Sequence, residues 1–109
     1  MTTPQIPEPV SSFIAKVNAH DEQAFLDAFA SDGEVDDWGR SFIGRDAIQR
    51  WSQKEFIGSQ GVLAVEEVQD EGATVTVVGD WRSTHANGRS KFIFEIRDGL
   101  FTKMTIREG

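Results

Sequence analysis

The chain has 109 residues, enough for one domain with a single hydrophobic core, and no cysteine, so disulfides, a thiolate nucleophile and a cysteine zinc site are excluded. Its net charge of −7 is spread evenly, with 5 basic and 9 acidic residues in 1–54 and 6 and 9 in 55–109. That leaves no basic patch for nucleic acid, and no apolar run approaches the ~20 residues of a membrane span.

Residues 1–8 read as a flexible N-terminal arm, because Pro4 and Pro7 discourage regular structure. Residues 9–109 then form the domain, with Pro9 suited to the first turn of a helix. Val10, Phe13, Ile14 and Val17 recur at i, i+3, i+4 and i+7, which predicts an amphipathic helix ending near Asn18. Asp21 suits the N-cap of a second helix that buries Phe25, Leu26 and Phe29. Ser31, Asp32 and Gly33 end it. A short strand over 34–37, a turn at Trp38-Gly39 and a return over 40–43 follow. Gly44 then precedes a third helix, with Asp46 favourable in its first turn and Ile48, Trp51, Ser52 and Phe56 on one face.

From Val62 the hydrophobic period changes from 3.6 to 2. Strands are predicted over 62–69, 73–84, 90–97 and 101–107. Their connections, Asp70-Glu71-Gly72, Ala86-Asn87-Gly88 and Asp98-Gly99, carry the Asp/Asn–Gly chemistry of hairpin turns. Gly79 marks a bend or bulge in the longest strand. Three helices followed by a meander predict an α+β fold, with helices against one face of a curled antiparallel sheet. The N-terminus lacks the basic start and apolar core of a signal peptide, so a cytoplasmic setting is expected.

The phrases VNAHDEQAFLDAFASDGEVDD, DWGR and GRDAIQRW, with a sheet ending in IFEIRDGLFTKMTI, resemble the nuclear transport factor 2-like superfamily, and within it the short SnoaL-like domains. The resemblance runs from Pro9 to Ile106. It implies a cone in which a strongly curved, barrel-like sheet and three N-terminal helices enclose a pocket, and dimers formed through the outer sheet face. His20 and His85, isolated among scattered carboxylates, do not make metal-ligand spacing, and acid/base chemistry of the isomerase or cyclase type would need no metal and no organic cofactor. The superfamily holds ketosteroid isomerases, polyketide cyclases, dehydratases, epoxide hydrolases and non-catalytic binding modules, so fold does not give function.

Asp37 is the first candidate site residue. Strand alternation turns Asp37 the same way as the apolar Val35, into the pocket, and leaves Asp36 outside. By position Asp37 resembles the acid/base aspartate of isomerases and cyclases. A carboxylate in an apolar cup holds its proton to higher pH than one in water, which suits proton exchange near neutrality. The alternative is a turn residue that hydrogen-bonds the backbone before Gly39. Isomerases of this superfamily also use a tyrosine and a protonated acid as oxyanion donors. This chain has no tyrosine, and KFIFEI offers Phe92, Ile93 and Phe94 where the acid is expected. The remaining donors are the indoles of Trp38, Trp51 and Trp81.

His85 shares a strand face with Trp81 and Ser83, so it is placed either at the pocket rim, paired with Asp37, or in solvent beside its turn. Asp80 and Arg82 lie on the opposite face from Trp81 and read as a solvated ion pair, with Arg40 bracing the hairpin. Phe13, Val17, Phe25, Val35, Trp51, Phe56, Trp81, Phe92, Phe94 and Met104 fall on inward faces. They serve as core or as the lining of a pocket for a small apolar molecule. Thr74, Thr76, Val78 and Ile93 give the outer sheet face the mixed character of a homodimer surface. Three readings follow: a ligand-binding dimer, a cofactor-independent isomerase, cyclase or dehydratase using Asp37, and a structural dimer whose cavity is filled by side chains.

Overall fold

A computed structural model describes residues 5–109; residues 1–4 of the expected arm lie outside the described residues. Helix α1, Val10–Asn18, buries the predicted stripe of Val10, Phe13, Ile14 and Val17. Asn18 at its end accepts from Leu63 N at 2.8 Å and donates to Leu63 O at 3.0 Å, fixing the helix to the sheet edge. Asp21 caps helix α2, Glu22–Asp27, by accepting from Ala24 N at 3.1 Å.

Phe29 is not helical, against expectation. The helix stops at Asp27, and strand β1 runs Phe29–Asp37. The i, i+4 spacing of Phe25 and Phe29 imitates one more helical turn, yet Phe29 is claimed by the sheet, opposite Phe101. Strand β2, Arg40–Ile43, pairs back on β1, and α3, Arg45–Glu55, leads through a 3-10 turn, Ile57–Ser59, into the meander. Its strands are β3 Val62–Asp70, β4 Thr74–Arg82, β5 Gly88–Arg97 and β6 Leu100–Glu108.

The strands order β2-β1-β6-β5-β4-β3 in one sheet. Every neighbour is antiparallel except β1 and β6, which run parallel, so the sheet is mixed. Hairpin-turn signals report only adjacent antiparallel strands, whereas this pairing joins the first strand to the last. Gly79 does sit at a bulge, but the extra residue belongs to β3, whose register shifts between Val65 and Glu67. A Cβ on Gly79 would lie 2.4 Å from Ala64 O, so the two backbones meet where only glycine fits.

The helices cover the concave face. Between them lies a cluster of phenylalanines: Phe13 stands edge-on to Phe101 at 4.8 Å and to Phe94 at 5.5 Å, and Phe25 meets Phe29 at 5.4 Å. Ile6 packs half-buried against this core. Among the described residues no helix is long and apolar enough to cross a membrane.

Candidate functional site

The β1–β2 hairpin divides two adjacent carboxylates by strand alternation. Asp36 faces out. It accepts from Gly39 N at 2.8 Å and from Arg107 at 3.0 and 3.1 Å, which ties the turn to β6. The Arg107 hydrogen bond, and then the Gly39 N–H, hold its carboxyl below the usual range. Asp37 faces in and is buried beside Val35.

Asp37 does not stand in an isolated apolar cup. Its Oδ2 accepts from Arg40 Nη2 at 2.5 Å and from the Trp51 indole at 3.1 Å. Among the described residues no donor reaches Oδ1. The same Arg40 nitrogen donates to Glu55 Oε1 at 2.7 Å, and its second nitrogen to Oε2 at 3.1 Å. One guanidinium therefore bridges two largely buried carboxylates, one from the hairpin and one from the last turn of α3. Arg40 drives the Glu55 carboxyl below its usual range, and Glu55 foremost raises Arg40 further above the arginine range.

Of the two alternatives for His85, solvent beside its turn or the rim paired with Asp37, the structure combines parts of each: it is half exposed, and it pairs with Glu55, Nε2 to Oε1 at 3.0 Å, and not with Asp37. It reaches the site from the β4–β5 connection. Arg40 spans hairpin and helix, so it does more than brace the turn. Glu55 had escaped the sequence reading altogether. Its signal is helical spacing: it lies one turn beyond Trp51 on α3, on the same face. Asp80 and Arg82 pair with each other at 2.8 Å on the exposed face.

Next to this polar wall is a three-ring stack. Phe56 lies between Trp51, at 4.9 Å and 21°, and Trp81, at 4.7 Å and 8°. Stack and polar wall enclose a cavity of about 150 Å³ that opens beside Trp38, with Phe92 behind. Of the ten apolar residues expected in a pocket, Trp51, Phe56, Trp81 and Phe92 line this cavity. Phe13, Val17 and Phe94 instead border a second, much smaller void of about 10 Å³, the size of one water. Phe25, Val35 and Met104 line neither: they are fully buried in the core, with Val35 and Met104 opposite each other across β1 and β6. Alternation gives the inward direction but not the depth at which a residue sits between core and mouth.

The ion-pair network predicts a pH-dependent cost of removing Arg40. Arg40→Met leaves Asp37 and Glu55 facing each other without their cation. At pH 7 a loss of about 1–2 kcal/mol is expected, reduced by the exposure of half the Arg40 side chain. Glu55 has a folded pKa below its unfolded one, so the stability it contributes is complete above the ordinary carboxylate range. That stability fades as pH falls through the folded value. The gap between wild type and R40M should therefore be largest above about pH 5 and shrink toward pH 3. Urea unfolding at both pH values measures it; a gap that grows on acidification contradicts the assignment.

Fold and site together define a small cone with an aromatic cavity whose wall carries two carboxylates. The chain belongs to the SnoaL-like domain family, whose model matches residues 10–104. Among solved structures it is similar to a presumed polyketide cyclase from Sinorhizobium meliloti, with 23% identity, 94% of this chain and 95% of that one covered, and a TM-score of 0.82. It is also similar to the epoxide hydrolase/cyclase-like enzyme SalBIII, which has a role in pyran ring formation in the polyether salinomycin (19%, 92% and 87% covered, 0.81). A third is a Mycobacterium tuberculosis protein in complex with estradiol-17beta-hemisuccinate (18%, 92% and 90% covered, 0.77). At these identities the likeness establishes the fold. No curated protein matches the chain.

Proposed function

We propose that the protein binds a small, flat, largely apolar molecule in the mouth cavity, with Asp37 as its polar anchor. The observation that carries this reading is the state of that carboxylate. It is buried in an aromatic wall, its Oδ2 is held by Arg40 and Trp51, and its Oδ1 has no protein donor among the described residues. A ligand hydroxyl or enol is the complement of that oxygen. The wall carries two carboxylates against one guanidinium, which disfavours a ligand anion next to Asp37. A cavity of about 150 Å³ takes a benzene-sized ring, and a second ring would extend into the mouth. Complexes of small ligands with proteins of this fold, such as the estradiol hemisuccinate complex, support the class of ligand.

The test uses 2-naphthol and 2-methoxynaphthalene, which share a ring system and differ in the donor. Asp37→Asn should weaken 2-naphthol binding by roughly 10-fold or more and change 2-methoxynaphthalene little, measured by calorimetry. Equal affinity of wild type and D37N for 2-naphthol would remove Asp37 as the anchor. The partly exposed Thr74, Thr76 and Ile93 on the outer sheet face support a homodimer, which sedimentation would reveal, whereas Val78, expected on the same surface, is already buried within the chain and offers a partner little area.

The pairing of His85 with Glu55 favours a second reading on the same site: cofactor-independent isomerisation, cyclisation or dehydration. In it Asp37 takes a proton from the substrate and returns it, with the Glu55–His85 pair beside it on the same polar wall as a second acid/base. Catalysis requires D37N to abolish turnover while the methoxy probe still binds.

A further inference from the structure

The turn that joins β1 to β2 holds a residue that its backbone disfavours. Trp38 has φ 55° and Gly39 φ 90°, two successive left-handed residues, as in the hairpin turn that Asn-Gly fills most easily. A bulky aromatic side chain is an outlier in that region, and its backbone conformation is strained there. Burial does not offset the cost, since Trp38 is 59% exposed. Nor does the turn need the indole. Asp36 Oδ1 holds Gly39 N, and the bond from Trp38 N to Ile106 O, at 3.2 Å, uses backbone alone.

The location of Trp38 supplies the missing reason. It stands at the mouth of the cavity on the Asp37 side, with His85 and Ala86 of the β4–β5 connection also at the cavity wall. It also lines a shallow surface hollow outside, shared with Asn87 and Gly88. An exposed aromatic ring therefore sits between the stacked interior and solvent, where a ligand larger than one ring must emerge.

We propose that Trp38 is a ligand-binding residue that stacks on the outer part of a flat ring system whose inner part rests against Trp51, Phe56 and Trp81. The site thereby prefers planar aromatic molecules to saturated rings of similar size. This inference rests on the binding reading above and adds the planarity of the ligand and the residue that selects it. Aromatic pairs contribute beyond area burial, whereas a saturated ring receives only the area.

The experiment compares 2-naphthol with trans-2-decalol on wild type, Trp38→Asn and Trp38→Phe, reading affinity by calorimetry and Tm by thermal unfolding. Wild type should prefer 2-naphthol. In W38N the 2-naphthol Kd should rise roughly 3- to 10-fold, with trans-2-decalol changed much less, and W38F should keep most of the selectivity. W38N should also gain about 4 °C or more in Tm, because asparagine tolerates the left-handed turn. A purely structural Trp38 gives the opposite pair, a lower Tm and unchanged selectivity, and either result overturns the proposal. Wild type that binds both probes without preference overturns it while leaving the binding reading intact. Wild type that binds neither overturns both.

Discussion

Phe101→Ala is expected to destabilise the fold by about 3–5 kcal/mol, a large part of the ~5–15 kcal/mol that holds a domain of this kind together. Phe101 is fully buried, and its ring meets Phe13 at 4.8 Å, Phe94 at 4.9 Å and Phe29 at 5.7 Å. Those partners come from α1, β5 and β1, so one ring joins the helical layer to both neighbours of β6 in the sheet. Its N–H donates to Ala28 O at 2.9 Å, a backbone bond that alanine keeps. The loss is thus the ring itself and the cavity it leaves, which surrounding aromatics fixed in edge-on contacts cannot collapse to fill. Equilibrium urea unfolding should show the midpoint falling with little change in slope. A loss below about 1 kcal/mol would mean that the cluster does not bear on stability as its geometry implies.

The same residue shows where sequence reading stops. The apolar stripe of α1, the Asp21 cap and the Asp/Asn–Gly turns of the meander are local signals, and the elements they mark are found, although β4 ends at Arg82, so Ser83 and His85 lie in the connection and not on a strand face with Trp81. The pairing of Phe29 with Phe101 is not local. Phe29 continues the spacing of Phe25, so periodicity assigns it to a helix, and only a strand from the far end of the chain takes it into the sheet. Parallel pairing between first and last strands leaves no turn signature.

The candidate site divides along the same line. Asp37 was legible because Val35 two residues earlier states which way the strand faces. Trp51 was legible as an inward helix residue, and its indole does find a carboxylate. The links between these residues were not. Arg40 joins residues 37 and 55, and His85 comes to Glu55 from a hairpin connection 30 positions away. Charged residues at the end of a helix and beside a turn are ordinarily solvated, and only the curvature of the sheet brings these two within 3.0 Å. The core–pocket boundary was hidden for a related reason: Met104 and Phe92 both face inward, and the sheet's curl decides that one is sealed and the other lines the cavity.

Gly61→Ala should disable the site and destabilise the fold by about 3 kcal/mol, the upper end for overpacking. A Cβ at this position would fall 2.0 Å from Trp81 Cζ2 and 2.1 Å from its Cη2, well inside contact distance. Relief would require either the segment around Gly61 or the indole to move. The segment is tied on several sides. His20 Nε2 meets Gly61 O at 3.0 Å, Thr84 donates to Ser59 O from its N–H at 2.9 Å and its hydroxyl at 3.1 Å, and Ser59 Oγ donates to Phe56 O at 2.7 Å. The indole is the cheaper element to displace, but it is stacked almost parallel on Phe56 and forms one end of the ring stack that floors the cavity. Moving it opens that stack from the side opposite Asp37, so the aromatic surface is lost while Arg40, Glu55 and the carboxylate stay in place. The variant should therefore lose 2-naphthol binding, with a lowered Tm and altered near-ultraviolet tryptophan circular dichroism, yet keep the far-ultraviolet spectrum of the fold. An alanine variant that retained both the tryptophan signal and the affinity would show that Trp81 does not hold the cavity open by resting on Gly61.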